Sequence, residues 1–261
     1  MSDRTFFLGF CWGAAGTTWL ARLLNSHEDI LCLHAPILPR YDHFRFAESS
    51  EIVDLVFNGE DFGAAYPVVG FTHGIASEWQ SLLTEKYGDQ LRCFAVTRHP
   101  IKRIQSTLDL NIRQKDVRLA DPTWRQAYAD TYQELTQSSG RQFPDDFESL
   151  AFYKACKMVN SIIWERQQAF PLYRFEDLVS NEESVKNLVA HVSRGTCQLA
   201  AAVVRKMQDT VVRARAAPGL SVVETYRAWR TEHRDAYHHL VAPPALRLYQ
   251  QLGYELPDVV I

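Results

Sequence analysis

Near its start the chain has an apolar run of strand length, Phe6 to Cys11. The run breaks at Gly13 and Gly16 and resumes with apolar residues at helical spacing, Trp19, Leu20, Leu23 and Leu24. This reads as strand, tight loop, helix. In such a turn Gly13 and Gly16 let the backbone approach a ligand closely. The first free amides of the new helix, near Gly16, Thr17 and Thr18, face whatever sits there. The positive end of the helix dipole makes an anion the best-fitting occupant, cradled by Gly13, Ala14, Ala15, Gly16, Thr17, Thr18 and Trp19. Trp19 is also readable as a plain core residue.

Strand-like runs and helical patterns alternate along the rest of the chain. Ile30 to Leu33 is a short apolar run ending at His34. Pro67 to Gly74 is a third strand, with His73 at its carboxyl end, and a polar helix follows from about Ser77 to Tyr87. Leu91 to Thr97 runs into Arg98-His99-Pro100, and a helix starts at or just after the proline. Residues 40–66 and 109–143 carry scattered aromatics and read as lids or connecting helices. The second is helical between Pro122 and Gln137. One long helix is expected from Asp146 to Gln168, then a further parallel strand within Phe170 to Leu178. Helices follow from Glu182 to about His191, from Cys197 to about Met207, and from Pro244 to Leu252, and the pattern lapses between Gln208 and Thr225. The expectation is a single α/β domain over residues 1–261, its central parallel sheet flanked by helices. Open sheets of this kind take ligands at the carboxyl ends of their strands.

A net charge of −3 disfavours nucleic acid, an anionic membrane surface or a long sulfated polysaccharide as the main partner. No segment approaches the ~18 uninterrupted apolar residues of a membrane span. The Arg4-led apolar stretch continues as an amphipathic helix, which reads as the start of a domain and not a signal peptide. Cys11, Cys32, Cys93, Cys156 and Cys197 are odd in number and far apart, with no C-x-x-C pair. They read as reduced thiols of a cytoplasmic protein, and the nine histidines and five cysteines show no metal-ligand spacing.

A second pattern lies at Arg98, where proline follows two residues on and Ser106 eight residues on. On a helix starting near Pro100, the Ser106 hydroxyl and the Arg98 guanidinium could converge on one phosphate. Each residue alone also fits a helix cap or a surface serine. A third segment is Tyr173-Arg174-Phe175-Glu176-Asp177-Leu178, and a fourth is Tyr226-Arg227-Ala228-Trp229-Arg230, followed by Leu252-Gly253-Tyr254. Together, over about residues 5–254, these resemble the sulfotransferases that use 3′-phosphoadenosine 5′-phosphosulfate (PAPS). The Gly-Thr-Thr-Trp-Leu loop is similar to their P-loop-like 5′-phosphosulfate loop, the Arg98 to Ser106 stretch to their R-x-P-x-x-x-x-x-S 3′-phosphate motif, and the third segment to Y-E-D-L.

The resemblance implies sulfuryl transfer from PAPS to a hydroxyl of a small-molecule acceptor, possible natural products included, with PAP as product and no metal. It implies His73 as general base, because Thr72-His73 keeps part of the family's K-T-H; His34 and His99, which also follow strands, are rivals. The chain departs from the family at Ala14, where a basic residue is usual, and Lys102 or Arg103 are candidate substitutes. Phe175 replaces the tyrosine of Y-E-D-L. The Arg-Lys-Gly triplet is missing, which leaves Arg213, Arg215, Arg227 and Arg230 as 3′-phosphate candidates, Arg227 foremost. Two other classes stand beside this one: a P-loop kinase, which would want lysine at Thr17 and a magnesium site, and a nucleotide-binding protein without catalysis. The acceptor's identity and the oligomeric state are not legible.

Overall fold

A strand covered on both faces must be apolar or tightly satisfied throughout, and every residue of β1 (Thr5–Phe10) is buried. The computed structural model describes residues 4–12, 15–34, 57, 65–73, 77–214 and 220–257; the side chains of 73, 77–79, 82 and 211–214 lie outside that description. β1 pairs in parallel with β3 (Val68–His73) on one side and β4 (Leu91–Thr97) on the other. β2 (Ile30–Leu33) and β5 (Leu172–Arg174) complete a five-stranded parallel sheet in the order β2-β3-β1-β4-β5. The register sets His73 beside Phe10, and Arg174 beside Thr97, so these strands finish along one edge. The α/β class and the central parallel sheet expected from the sequence are present.

The chain divides into two compact units, neither of them a continuous stretch of sequence. The first takes its described residues from Met1–Cys11, Ala15–Thr97 and Ala169–Ala217 and contains the sheet. Its helices are α1 (Thr17–Leu24), α2 (Ser77–Tyr87), and later α8 (Phe175–Leu178), α9 (Glu182–Ser193) and α10 (Ala201–Ala214). Phe7, Phe94 and Val96 of the sheet share one core with Leu20, Leu23 and Leu24 of α1 and Val185, Leu188, Val189 and Val192 of α9. Spacings of three and four residues place those side chains on one helix face each.

The second unit draws on Trp12–Ala14, Arg98–Gln168 and Pro218–Ile261. In chain order it contains α3 (Pro100–Arg113), α4 (Lys115–Ala120), α5 (Pro122–Ser139), α6 (Phe147–Met158), α7 (Ser161–Gln167), α11 (Val222–Ala228), α12 (Thr231–Leu240) and α13 (Pro243–Gln251). The helix expected over 146–168 is two helices, because tertiary partners claim the joint. Tyr249 donates its hydroxyl to the Val159 carbonyl at 3.1 Å, and Asn160 bonds both the Leu240 carbonyl and the Ala242 amide. Helix α10 runs seven residues past the expected stop at Met207, to Ala214. The strand expected within 170–178 ends at Arg174, where Phe175 and Leu178 bury one side of the short α8. Helix α12 lay unseen in the sequence, because its buried face is His233, Ala236, Tyr237 and Leu240, a helical repeat half made of residues that do not read as apolar.

The centre of the second unit is polar. Arg103 is fully buried and lies 3.8 Å from the equally buried Glu165. Its guanidinium also donates to Ser161 Oγ at 2.9 Å and Tyr249 Oη at 3.1 Å, while Ser161 donates to Glu165 at 2.8 Å. Burial pushes the Glu165 carboxyl up from its ordinary range, against the pull of Arg103. Removing one partner of such a pair leaves an uncompensated buried charge. Glu165→Gln is therefore expected to destabilise the protein by about 3–5 kcal/mol in urea unfolding, and a loss below about 1 kcal/mol, the scale of an exposed pair, would show that the network is not a stability element.

Candidate functional site

In the first unit, the chain enters α1 through Gly16, whose φ of 84° is left-handed and suits glycine. Gly13 and Ala14 lie outside the described residues. Ala15 is buried at 1 % exposure. The Gly16 carbonyl accepts the first helical bond from the Leu20 amide at 3.0 Å. No acidic residue stands in the first turn of α1, so nothing there opposes an anion.

The hydroxyls of this turn meet a histidine. Thr17 Oγ1 and His34 Nε2 are 2.7 Å apart, and Thr18 Oγ1 is 3.3 Å from the same nitrogen. Burial lowers the His34 pKa, which keeps its imidazole neutral near pH 7. Thr72, buried beneath, donates to the Thr17 carbonyl at 3.4 Å, tying β3 to the same turn. Trp19 is half-buried: its indole N–H donates to the Met207 carbonyl at 2.9 Å, and its ring meets Phe175 edge-on at 5.8 Å. His73 closes β3, and its side chain lies outside the description.

A side chain at Gly16 would collide before any ligand arrived, since a β-carbon there would come within 2.1 Å of the Phe175 ring. Phe175, the residue that departs from the family pattern, is the wall of this turn. Sequence reasoning missed that role because contact between residues 16 and 175 leaves no local pattern.

In the second unit, Arg98 Nη1 donates to Ser106 Oγ at 2.9 Å, so the two residues of the spaced pattern do meet. Helix α3 begins at Pro100 behind His99, which accepts the Ile101 amide on Nδ1 and reaches the Glu255 carbonyl with Nε2 at 2.8 Å. Both nitrogens of His99 are thereby used in capping and anchoring, which removes it as a rival base. Arg103 is equally spoken for by Glu165 and cannot supply the charge missing at Ala14. Lys102 donates to Thr225 Oγ1 at 2.8 Å and to the Leu220 carbonyl. Trp229 donates to Gln105 Oε1 at 2.8 Å, tying the segment after α11 to the helix that carries Ser106. Arg227, two residues earlier, is exposed. Arg230 is taken by Asp146 and Glu148 at 3.5 and 3.1 Å. Arg215 and the side chain of Arg213 lie outside the description. Cys11, Cys32, Cys93, Cys156 and Cys197 are not joined by disulfides, and burial pushes Cys32 and Cys93 up to about 12. Among the described residues, no helix is long and apolar enough to cross a membrane.

The Gly16–Phe175 contact predicts a coupled defect. Gly16→Val should lower the melting temperature, through φ strain and collision together. Combined with Phe175→Ala, the double variant should be less destabilised than the sum of the singles by about 0.5–3 kcal/mol. Strict additivity would mean that the ring does not limit the turn.

No protein-family model matches the chain, and no curated protein matches it closely enough to count as a relative. Solved structures do. A sulfotransferase from Alicyclobacillus acidocaldarius is 15% identical, with a TM-score of 0.46 over 97% of each chain. The sulfotransferase domain from the curacin biosynthetic pathway is 12% identical, with a TM-score of 0.46 over 97% of this chain and 99% of that one. Mouse sulfotransferase SULT7A1, complexed with PAP, is 10% identical, with a TM-score of 0.44 over 97% of this chain and 84% of its own. The solved structures to which this chain is similar thus include three sulfotransferases.

Proposed function

We infer that the chain is a sulfotransferase that moves the sulfuryl group of PAPS to a hydroxyl of a small-molecule acceptor and releases PAP. The observation that carries this reading is the left-handed Gly16 turn into α1, with two threonine hydroxyls and no acid in its first turn. Amides and hydroxyls at such a turn stabilise an anionic group, and they count most when charge grows on the leaving phosphate. The Arg98–Ser106 pair, 2.9 Å apart, favours a nucleotide with a second phosphate on the ribose over a nucleoside triphosphate. Thr17 in place of the P-loop lysine counts against the kinase reading in the same direction.

In this scheme the acceptor oxygen attacks sulfur in line, the bond from sulfur to the phosphate oxygen breaks, and the acceptor proton passes to His73. Gly13, Ala14, Ala15, Gly16, Thr17, Thr18 and Trp19 hold the 5′-phosphosulfate, and Arg98, Ser106 and Arg227 the 3′-phosphate. Ala14 brings no charge to the leaving group, and the hydrogen bonds of the turn carry that task. His34, neutral and bonded to Thr17, orients that hydroxyl and is the second choice for the base.

Adenosine 3′,5′-bisphosphate should raise the melting temperature, and ATP with magnesium should not; the reverse result favours the kinase. Arg98→Ala should weaken bisphosphate binding by about 1.5–3 kcal/mol, the range for a hydrogen bond to a charged group. Adenosine 5′-phosphosulfate, which lacks the 3′-phosphate, should be indifferent, and equal weakening of both would remove Arg98 from the 3′-phosphate.

A separate measurement addresses the base. With PAPS affinity unchanged, His73→Ala should lower kcat by roughly 10²-fold to 10⁴-fold and abolish the loss of rate on acidification. An acid limb shifted below the usual histidine range, and lost in His34→Ala, would transfer the role to His34, since burial lowers the pKa of that residue.

A further inference from the structure

We propose that His27, Asp29 and Cys197 form a binding site for a divalent transition metal ion of the zinc type, which staples two turns of the first unit together. His27 and Asp29 lie in the turn between α1 and β2, and Cys197 follows α9, far along the chain. One ligand atom from each comes within 4.8 Å of the other two. Ligands on a tetrahedral zinc, at bond lengths of about 2.0–2.3 Å, stand roughly 3.3–3.8 Å apart, so closure asks each side chain to move by about 1 Å. An imidazole nitrogen, a thiolate sulfur and a carboxylate oxygen suit zinc or cobalt, and the sulfur disfavours magnesium and calcium.

The backbone under these side chains is already fixed. Asn25 bonds the Cys32 amide and carbonyl at 2.7 Å each, the Ile30 amide donates to the His27 carbonyl at 3.2 Å, and the Val68 amide donates to the Asp29 carbonyl at 3.1 Å. On the other turn, Ser193 Oγ accepts the Cys197 amide at 3.1 Å. Cys197 is buried at 3 % exposure while Asp29 is exposed, so an ion would have sulfur at the bottom and a carboxylate at the mouth. His27 Nδ1 accepts the Asp29 amide at 3.2 Å and lies 3.9 Å from its carboxylate, so its lone pair already faces Asp29, and the ion replaces one long hydrogen bond. The site precedes β2, where the parallel strands begin; the Gly16 turn follows the opposite ends. It lies away from that turn and does not depend on the sulfuryl-transfer reading.

The test uses the full chain, stripped with a chelator and titrated with zinc alone. One equivalent should bind with a dissociation constant below about 1 μM, a binding free energy of about −8 kcal/mol, and should raise the melting temperature. Cobalt should give a thiolate charge-transfer band in the near ultraviolet. Cys197→Ser should remove that band and weaken zinc binding at least about 100-fold, beyond the loss typical of outer-shell changes. Should Cys197→Ser fail to fold, His27→Gln and Asp29→Asn, at more accessible positions, should each weaken zinc at least about 10-fold. Zinc that binds more weakly than about 1 μM, a cobalt band that persists in Cys197→Ser, or unchanged affinity in His27→Gln and Asp29→Asn would overturn the site.

Discussion

Strand β1 is the constraint on which the first unit turns. It is buried along its whole length between β3 and β4, and the next helix, α1, packs into the same core. The chain enters α1 through a left-handed residue, Gly16 at φ 84°. The first amides of α1 lack helical partners, and β3 and β4 finish on the same side of the sheet as β1. A covering problem and a binding opportunity therefore have one solution, in keeping with the rule that open parallel sheets take their ligands at the carboxyl ends of the strands. Phe175 then closes the turn from behind, which makes the glycine a packing requirement as well as a conformational one.

The second unit is organised by a buried charge. Arg103 on α3 reaches Glu165 and Ser161 on α7 and Tyr249 on α13, so one guanidinium fixes three helices. Such a network is weak evidence of added stability relative to an apolar core, but every member depends on the others. On the same helix, one turn from that network, Ser106 meets Arg98 and Gln105 meets Trp229. The inner face of α3 is thus committed to folding while neighbouring positions hold the groups proposed to bind phosphate.

The histidines show how far environment outruns residue type. His99 spends both nitrogens on a helix cap and a carbonyl. His191 reaches the Cys93 carbonyl at 2.9 Å, with its pKa lowered by burial. His34 is also held neutral, yet it faces the threonines of the Gly16 turn. All three follow the same intrinsic chemistry; what differs is which groups their nitrogens meet.

Periodicity and glycine placement were enough to determine the parallel α/β class, the first four strands near their observed bounds, and the Gly16 turn, because each rests on patterns between residues close in sequence. The pattern from Arg98 to Ser106 was legible for the same reason: eight residues on a helix start bring the side chains together. The sequence alone left three things undecided, and tertiary contact settled them. Arg103 reads as a spare catalytic charge, yet it lies fully buried against Glu165 in the core. The helix over 146–168 broke only because Tyr249 and the Leu240–Ala242 turn compete for its joint. Helix α12 is not legible in the sequence because its buried face includes His233, which Phe152 stacks on at 4.3 Å. In each case the deciding partner lies far along the chain, where local sequence carries no trace of it, and burial, not residue type, fixes what the side chain does.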